Sequence, residues 1–253
     1  VLRAREGYDQ QYLFYFMANP VLIAHSTGAS TGTKMPRADW DYLGKMDWNF
    51  PALPEQRSIA AVLSSLDSKI NLLQKQNETL EQIAQAIFNE KLTKEVGELP
   101  DGWRYGALCE IAKVDWGNTN LTKSSYNPSG EFLGVSAAGC DGRMNHSEHE
   151  EGTTVISAIG EYAGRTFYPH EPFTAIKNTL TVTPIKGIYT GWFIHHLLTE
   201  NTIPRRGAAQ PFLSKGDTEA HEVLIPPPSV ILDLDAAFSS LEVKVRRNTF
   251  SIK

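Results

Sequence analysis

The segment Leu63-Ser64-Ser65-Leu66-Asp67-Ser68-Lys69-Ile70 returns near the end of the chain as Phe238-Ser239-Ser240-Leu241-Glu242-Val243-Lys244-Val245. Every apolar position stays apolar, and the acid and the base keep their places. Matching runs precede the two copies, Pro51–Leu53 against Pro226–Pro228 and Thr33–Asp39 against Pro211–Asp217. Such a unit is much longer than the roughly 20 to 50 residues of a solenoid repeat. The sequence therefore predicts two related globular domains, each followed by a helix, with the first copy incomplete.

A long helix is predicted around the first copy. Pro51 and Pro54 precede it, Glu55 places negative charge at its start, and neither Gly nor Pro interrupts the chain until Gly97. The stretch of about 38 residues would form a rod of roughly 57 Å. Its apolar positions alternate in steps of four and three, which is typical of a heptad seam. These positions are Ile59, Leu63, Leu66, Ile70, Leu73, Leu80, Ala84 and Ile87.

The seam contains one amide, Asn77, which either fixes the register against a partner helix or is an exposed polar position. The second copy places apolar residues at the equivalent positions of a second helix, and we expect the two helices to pack antiparallel. Those residues are Leu234, Phe238, Leu241 and Val245.

The residues between the helices predict a mixed α/β domain, with a helix at Ile194–Thr199 and segments typical of strands. The expected strands are 131–136, 153–159, 165–168 and 175–183. Before the long helix, Tyr12–Ala18 reads as a short buried helix or strand and Ser26–Gly32 as a loop. The predicted fold class is α+β, with internally duplicated recognition domains joined by long antiparallel coiled-coil helices. The expected divisions are 1–54 (remnant of a first domain), 55–96 (long helix), 97–228 (complete second domain) and 229–253 (second helix, truncated).

Composition limits the class of protein but leaves its partner open. The net charge of −5 argues against a protein that coats nucleic acid non-specifically, although a local basic face is compatible with it. No apolar run approaches the roughly 20 residues of a membrane span, and the first residues lack the pattern of a signal peptide, so we expect a cytoplasmic protein with no membrane partner. Cys109 and Cys140 lack metal-ligand spacing and are expected to be buried thiols. The absence of an initiating Met suggests a missing N-terminal portion.

The motifs examined do not supply an enzyme site. Gly28 and Gly32 are separated by three residues rather than the four of a phosphate-binding loop, and Met follows Lys34. His146 and His149 lack the HExxH spacing of a zinc site. His195 and His196 are adjacent, so on a helix one is expected in the core and the other at the surface. Two domains held apart by rods suit a DNA site with two halves. The alternative is a coiled-coil assembly or adaptor protein whose globular domain binds protein.

Several segments resemble a known family. Leu53–Ala60, Leu63–Ile70 and Gln76–Leu80 are similar to the conserved region of the specificity subunits of type I restriction-modification systems. Leu99–Trp103 with Leu108–Ile111 resembles the entry to a target recognition domain of that family, and Gly207–Ser214 resembles its exit.

The resemblance implies a non-catalytic subunit without a cofactor of its own. Each target recognition domain would read one half of a bipartite sequence in double-stranded DNA, and the helices would set the spacer between the halves. Two modification subunits carrying S-adenosylmethionine would methylate an adenine in each half. Restriction subunits that use ATP and magnesium would complete the assembly.

Basic and polar side chains in turn-rich segments of the second domain are the expected DNA contacts. They are Lys123, Ser124, Tyr126, Arg143, Arg165, Arg205, Arg206, Gln210 and Lys215. In the first domain, Lys34 and Arg37 occupy the corresponding exit segment. Side chains outside the helix seam are expected to dock the methyltransferase subunits. They are Arg57, Lys69, Lys75 and Glu78.

Overall fold

The computed structural model describes residues 2–30, 37, 39–92, 99–185, 187–207 and 209–252. The chain divides into two compact units, residues 1–74 and residues 75–253. Part of one matching run, 33–36 and 38, lies outside the described residues, as does Lys34. Within the described ranges no helix combines the length and the apolar character that crossing a membrane requires.

Three short helices and the start of a long one form the first unit. They are α1 (Gln10–Met17), α2 (Pro20–Gly28), α3 (Trp40–Gly44) and α4 (Leu53–Leu92). The Asp9 carboxylate accepts the N–H groups of Gln11 and Tyr12 and so caps α1. Of the helix and the strand left open for Tyr12–Ala18, the structure has the helix, but the expected burial is wrong, because none of the residues of α1 is buried. The loop expected over Ser26–Gly32 is wrong for residues 26–28, which belong to α2, and residues 31 and 32 lie outside the described part.

The long helix α4 contains 40 residues, so its length is roughly 60 Å. The Ala52 carbonyl accepts the N–H groups of Glu55 and Gln56 at its start. The Gln56 side chain is buried, donates to the Pro51 carbonyl at 2.8 Å and accepts the Asp9 N–H at 2.9 Å. These bonds tie the helix start to the preceding loop and to α1. The helix therefore begins two residues earlier than expected, and residues 93–98 lie outside the described part.

Among its described residues, the second unit contains nine strands, three further α-helices and two short 3-10 helices at Leu108–Glu110 and Lys123–Ser125. The strands are β1 (Arg104–Ala107), β2 (Ala112–Trp116), β3 (Phe132–Ser136), β4 (Gly139–Met144), β5 (Thr154–Ser157), β6 (Thr166–Phe167), β7 (Phe173–Ala175), β8 (Thr179–Pro184) and β9 (Glu222–Ile225). The helices are α5 (Gly191–Glu200), α6 (Lys215–Glu219) and α7 (Pro228–Ile252). The strand orders are β2-β8-β5-β6, β4-β3-β7 and β1-β9, and β3 and β7 are the parallel pair.

Helix α5 lies at the centre of the main core. It packs against β5, β6 and β8 and against residues of α4 and α7. The buried residues from α4 are Leu80, Ala84 and Phe88, and those from α7 are Ile231, Leu234, Phe238 and Val245. A smaller cluster of Val135, Val155, Phe173 and Ala175 fills the space between β3, β5 and β7. The two sheets are thereby joined into one unit.

The strand expected over 175–183 is two strands. β7 ends at Ala175 and β8 begins at Thr179, because Asn178 adopts a left-handed backbone with φ of 70° and turns the chain. Asparagine tolerates this conformation better than most residues.

Three predicted burials are wrong. Cys109 and Cys140 are both exposed. Leu108, rather than its neighbour Cys109, turns inward and is fully buried. His195 and His196 do not divide between core and surface, since His196 is 3% exposed and the Nδ1 atom of His195 is also buried. The Tyr168 ring covers His195, with ring centroids 5.3 Å apart.

Asn77 faces α7. Its Nδ2 donates to the Val245 carbonyl at 3.3 Å and to Thr249 Oγ1 at 3.2 Å, and its Oδ1 accepts from Asn248 Nδ2 at 2.9 Å. Of the two alternatives for this position, the exposed polar residue is therefore excluded.

Candidate nucleic-acid interface

Several turns of the second unit meet in one region, which we call the loop face. It comprises residues 117–126, 136–139, 160–165, 176–178 and 204–212, of which residue 208 lies outside the described part. Backbone hydrogen bonds join these turns: Lys177 N–H donates to the Leu121 carbonyl at 3.2 Å, and Gly160 N–H donates to the Pro211 carbonyl at 2.8 Å. Segments far apart in sequence are thus held side by side by groups of fixed geometry.

A cavity of about 220 Å³ opens in the loop face. It is lined by Thr122, Lys123, Ser136, Ala137, Ala138, Tyr162, Ile176, Lys177 and Asn178. The lining draws on four of the five turns, so the cavity exists only in the folded unit.

Two arginines extend the loop face beyond the cavity. The Arg165 guanidinium lies 5.9 Å from the centroid of the Tyr162 ring and 5.3 Å from that of Phe167, within the range of a cation–π contact. The Arg205 stem passes beside Gly164, where a Cβ atom would lie 3.8 Å from Arg205 Cδ. The two arginines therefore lie next to the Tyr162 side of the cavity.

Arg165, Lys177 and Arg205 are positively charged and exposed. Within the ranges that the structure describes, none of the three lies within ion-pair distance of a carboxylate. Such a group is available to a phosphate or to a base edge without first breaking an ion pair.

The other predicted cations of this unit are paired. Lys123 Nζ lies 2.5 Å from Asp141 Oδ2, and Arg206 Nη2 lies 2.5 Å from Asp217 Oδ1. Arg143 is half-buried and contacts Glu171 at 3.4 Å.

Lys215 is also paired, to Asp115 at 3.2 Å and to Glu219 at 3.6 Å. Hydrogen bonds from Lys113 and then from Lys215 hold the pKa of the Asp115 carboxyl below its usual range. The pairs of Arg143, Lys123, Arg206 and Lys215 all connect separate segments and so help to hold the turns in place.

Tyr126 has a packing role. Its ring lies against the β3–β4 ladder, where a Cβ atom at Gly142 would come within 2.2 Å of it and one at Gly134 within 2.6 Å. Only glycine at these positions leaves room for the ring. The hydroxyl donates to Asp141 at 2.9 Å, and burial raises the pKa of Tyr126.

The remaining predicted residues are at the surface. The Ser124 hydroxyl lies 2.6 Å from Thr122 Oγ1 in the loop face, and Gln210 is exposed beside the left-handed Gly207. The docking candidates Arg57 and Lys69 are exposed in the first unit, and Lys75 and Glu78 are exposed in the second. Arg37 is exposed as well.

Sequence reasoning missed Tyr162, Lys177 and Asn178. The pair Lys177-Asn178 was read as the interior of a strand, although asparagine is one of the residues that favour turns. Tyr162 follows Gly160-Glu161 in another turn, and only the tertiary structure shows that it lines the cavity.

No group of three or more potential metal-ligating side chains is found within the described ranges. His146 Nε2 lies 3.4 Å from Glu148 Oε1, whereas the His149 ring stacks on Phe173 with centroids 5.0 Å apart. The two rings therefore have separate packing partners.

Comparison with known proteins places these features in context. No protein-family model matches the chain. It is 24% identical over 286 residues to the MjaIX type I restriction enzyme specificity subunit of Methanocaldococcus jannaschii, a match that covers 96% of this chain and 65% of that protein. It is 28% identical over 120 residues to the MjaVIII specificity subunit of the same organism, covering 43% of this chain and 28% of that one.

The fold has a solved counterpart. The S subunit of a type I restriction-modification system from M. genitalium superimposes with a TM-score of 0.51 at 15% identity, over 97% of this chain and 71% of that one. The chain thus spans about two thirds of the length of the MjaIX protein, and its match to the MjaVIII protein covers about a quarter of that protein. In sequence and in fold, this chain is similar to the specificity subunits of type I restriction-modification systems.

Proposed function

We propose that this chain is a non-catalytic DNA-specificity subunit of a type I restriction-modification complex. The observation that carries the proposal is the loop face, where Arg165, Lys177 and Arg205 have no ion-pair partner among the described residues, in a chain whose net charge is −5. Local concentration of positive charge, rather than total charge, is what attracts a phosphate backbone. The similarity to named specificity subunits supports the same reading.

We assign one half of a bipartite double-stranded DNA target to residues 97–228, acting as a target recognition domain. Residues 1–54 belong to a related domain that reads the other half. Arg165 and Arg205 offer the forked guanidinium that pairs with guanine edges, and Gln210 offers an amide suited to adenine. Lys177 suits a phosphate.

The long helices α4 and α7 form an antiparallel pair in this proposal. Asn77 contacts α7 near its end, at Val245 and Thr249, whereas Phe88 and the earlier Phe238 both lie against His196. Opposite directions along the two helices account for these contacts. The Asn77 amide then fixes the register, and the helix pair sets the DNA spacer.

The exposed faces of the helices dock the partners. The side chains that the family resemblance assigns to docking of the methyltransferase subunits are exposed. They are Arg57, Lys69, Lys75 and Glu78. Two methyltransferase subunits carrying S-adenosylmethionine would bind there, and restriction subunits using ATP and magnesium would join the complex.

Replacing Arg205 with alanine is expected to weaken binding to the DNA sequence that the complex methylates. The affinity should fall about tenfold, since one good arginine–base contact is worth roughly 1–3 kcal/mol. If Arg205 contacts phosphate instead, the slope of log affinity against log salt falls by about 1 and all sequences are affected equally. The measurement is co-purification with the methyltransferase subunit of the same operon, followed by adenine methylation mapping and DNA titration at several salt concentrations.

The matched control is Arg104→Ala, another exposed arginine, which pairs with Glu110 at 2.6 Å and lies outside the loop face. It should leave DNA affinity and methylation unchanged. Failure to form any complex with a methyltransferase would favour the assembly-protein alternative. Equal effects of the two substitutions would contradict the assignment of the loop face.

A further inference from the structure

We propose that the cavity in the loop face receives a single nucleobase that has left the stack of a DNA duplex. The proposal rests on the proposed function, since it requires that the loop face meets DNA. It adds a binding site for one unpaired base to a surface otherwise suited to base edges and phosphates.

The lining suits a flat apolar ligand. Ala137, Ala138 and Ile176 present hydrocarbon to the cavity, and Tyr162 supplies an aromatic ring. Small alanine side chains leave room that larger residues would fill. A volume of about 220 Å³ is below the roughly 300–1,000 Å³ of clefts for drug-sized ligands, which favours one heterocyclic ring system.

The charges around the cavity suit the backbone of the same nucleotide. Lys177 belongs to the lining and has no acidic partner within the described residues, and Arg165 contacts the Tyr162 ring. Lys123 also lines the cavity, but its charge is compensated by Asp141. The cavity is apolar and has an aromatic wall, and cations without ion-pair partners lie beside it. A nucleotide matches this arrangement, because it carries a flat aromatic base and a negatively charged phosphate.

Polar groups at the cavity offer hydrogen bonds to a base edge. Asn178 contributes an amide and is exposed, and its left-handed backbone, with φ of 70°, places it at the tip of the β7–β8 turn. Thr122 contributes a hydroxyl, which already contacts Ser124. An amide can both donate and accept, so Asn178 is the residue best able to distinguish one base from another.

An unpaired base is the expected ligand, because the energy needed to move a base out of the duplex is smallest when no base pair has to be broken. The probes are therefore two short duplexes of one sequence, identical except that one carries a single extra unpaired base. The affinity of the full chain for each is measured by fluorescence anisotropy. We expect the duplex with the unpaired base to bind about tenfold more tightly, a preference in the range of one base–aromatic stacking contact.

Ala138→Leu fills the cavity and should abolish the preference, bringing both duplexes to the affinity of the paired one. Ala138 is exposed, so the larger side chain leaves the core intact. The matched control is Ala220→Leu, at an exposed alanine outside the lining, which should retain the tenfold preference.

The outcomes separate the two proposals. Equal binding of the two duplexes by the unchanged chain, or a preference that survives in Ala138→Leu, would overturn the base site and leave the proposed function standing. Binding of neither duplex would overturn both. Loss of the preference in Ala220→Leu as well would refute the assignment to this cavity.

Discussion

Replacing Leu234 with alanine is expected to lower the free energy of unfolding of the second unit by about 3 kcal/mol. The side chain is fully buried on α7, in the core cluster that also contains Phe88 and Trp192. Removing its methyl groups loses their transfer energy and leaves a cavity that the neighbouring rings cannot completely fill, and such changes typically cost 2–5 kcal/mol. The measurement is urea unfolding followed by tryptophan fluorescence.

The same helix carries a matched control. Leu232 is two residues away and 68% exposed, so Leu232→Ala removes the same atoms without opening a cavity. Its effect should lie within about 0.5 kcal/mol of zero. Comparable losses from the two substitutions would contradict the burial of the α7 face against α5.

Lowering the pH from 7 to about 5 is expected to destabilise the second unit through its two buried histidines. Burial lowers the pKa of His195 from 6.5 to about 3 and that of His196 to about 4. As the pH falls, the histidines of the unfolded chain bind protons before those of the folded chain. The contribution of the neutral histidines to stability is therefore complete above the ordinary pKa of 6.5 and is lost as the pH falls toward the pKa values of the folded state. Each histidine should contribute roughly 2 kcal/mol of this loss by about pH 5.

The geometry explains why protonation is costly at His196. Its Nδ1 lies 2.6 Å from Gln85 Oε1, so Nδ1 carries the hydrogen and donates it. Its Nε2 is buried and, within the described part of the chain, has no hydrogen-bond partner. A proton added there would bring a charge and an unsatisfied donor into a site packed by Phe88 and Phe238.

His196→Gln is the control variant, because it keeps a polar side chain but cannot titrate. The free energies of unfolding of the two proteins are compared at each pH, so that other titrating groups cancel. This matters because burial raises the pKa of Glu242 and Asp235, whose contributions oppose those of the histidines as the pH falls. If the difference in the free energy of unfolding between the two proteins does not change with pH, the assignment of the pH dependence to His196 is refuted.

Features determined by neighbouring residues were predictable. Helix α4 follows from a long apolar seam with no interruption by glycine or by an internal proline, and its first residue differs from the expected one by two. Helix α5 was also expected, as were strands at the positions of β3, β5, β6 and β8, whereas β1, β2, β4 and β9 were not among the predicted strands. Where the prediction was wrong, at 175–183 and at Ser26, one short polar segment decided between strand, turn and helix, and local pattern alone did not separate these states.

Burial within an element depends on what packs against it. Adjacent His195 and His196 were expected to diverge, yet the Tyr168 ring covers one while α4 and α7 cover the other. Likewise, Leu66 in the first copy is 51% exposed, whereas the equivalent Leu241 is half-buried against the core. Equivalent sequence positions therefore differ in environment.

The sequence by itself determined the long helix, the α+β character and the apolar positions, because helix periodicity and strand content are properties of consecutive residues. Only the tertiary structure decided which cations are available. Lys123, Arg143 and Lys215 looked like Arg165 and Arg205 in the sequence, but each meets a carboxylate from a distant segment, as Lys215 meets Asp115. Ion pairing depends on distances of a few ångströms between such segments, and those distances arise only when the sheets and turns are assembled.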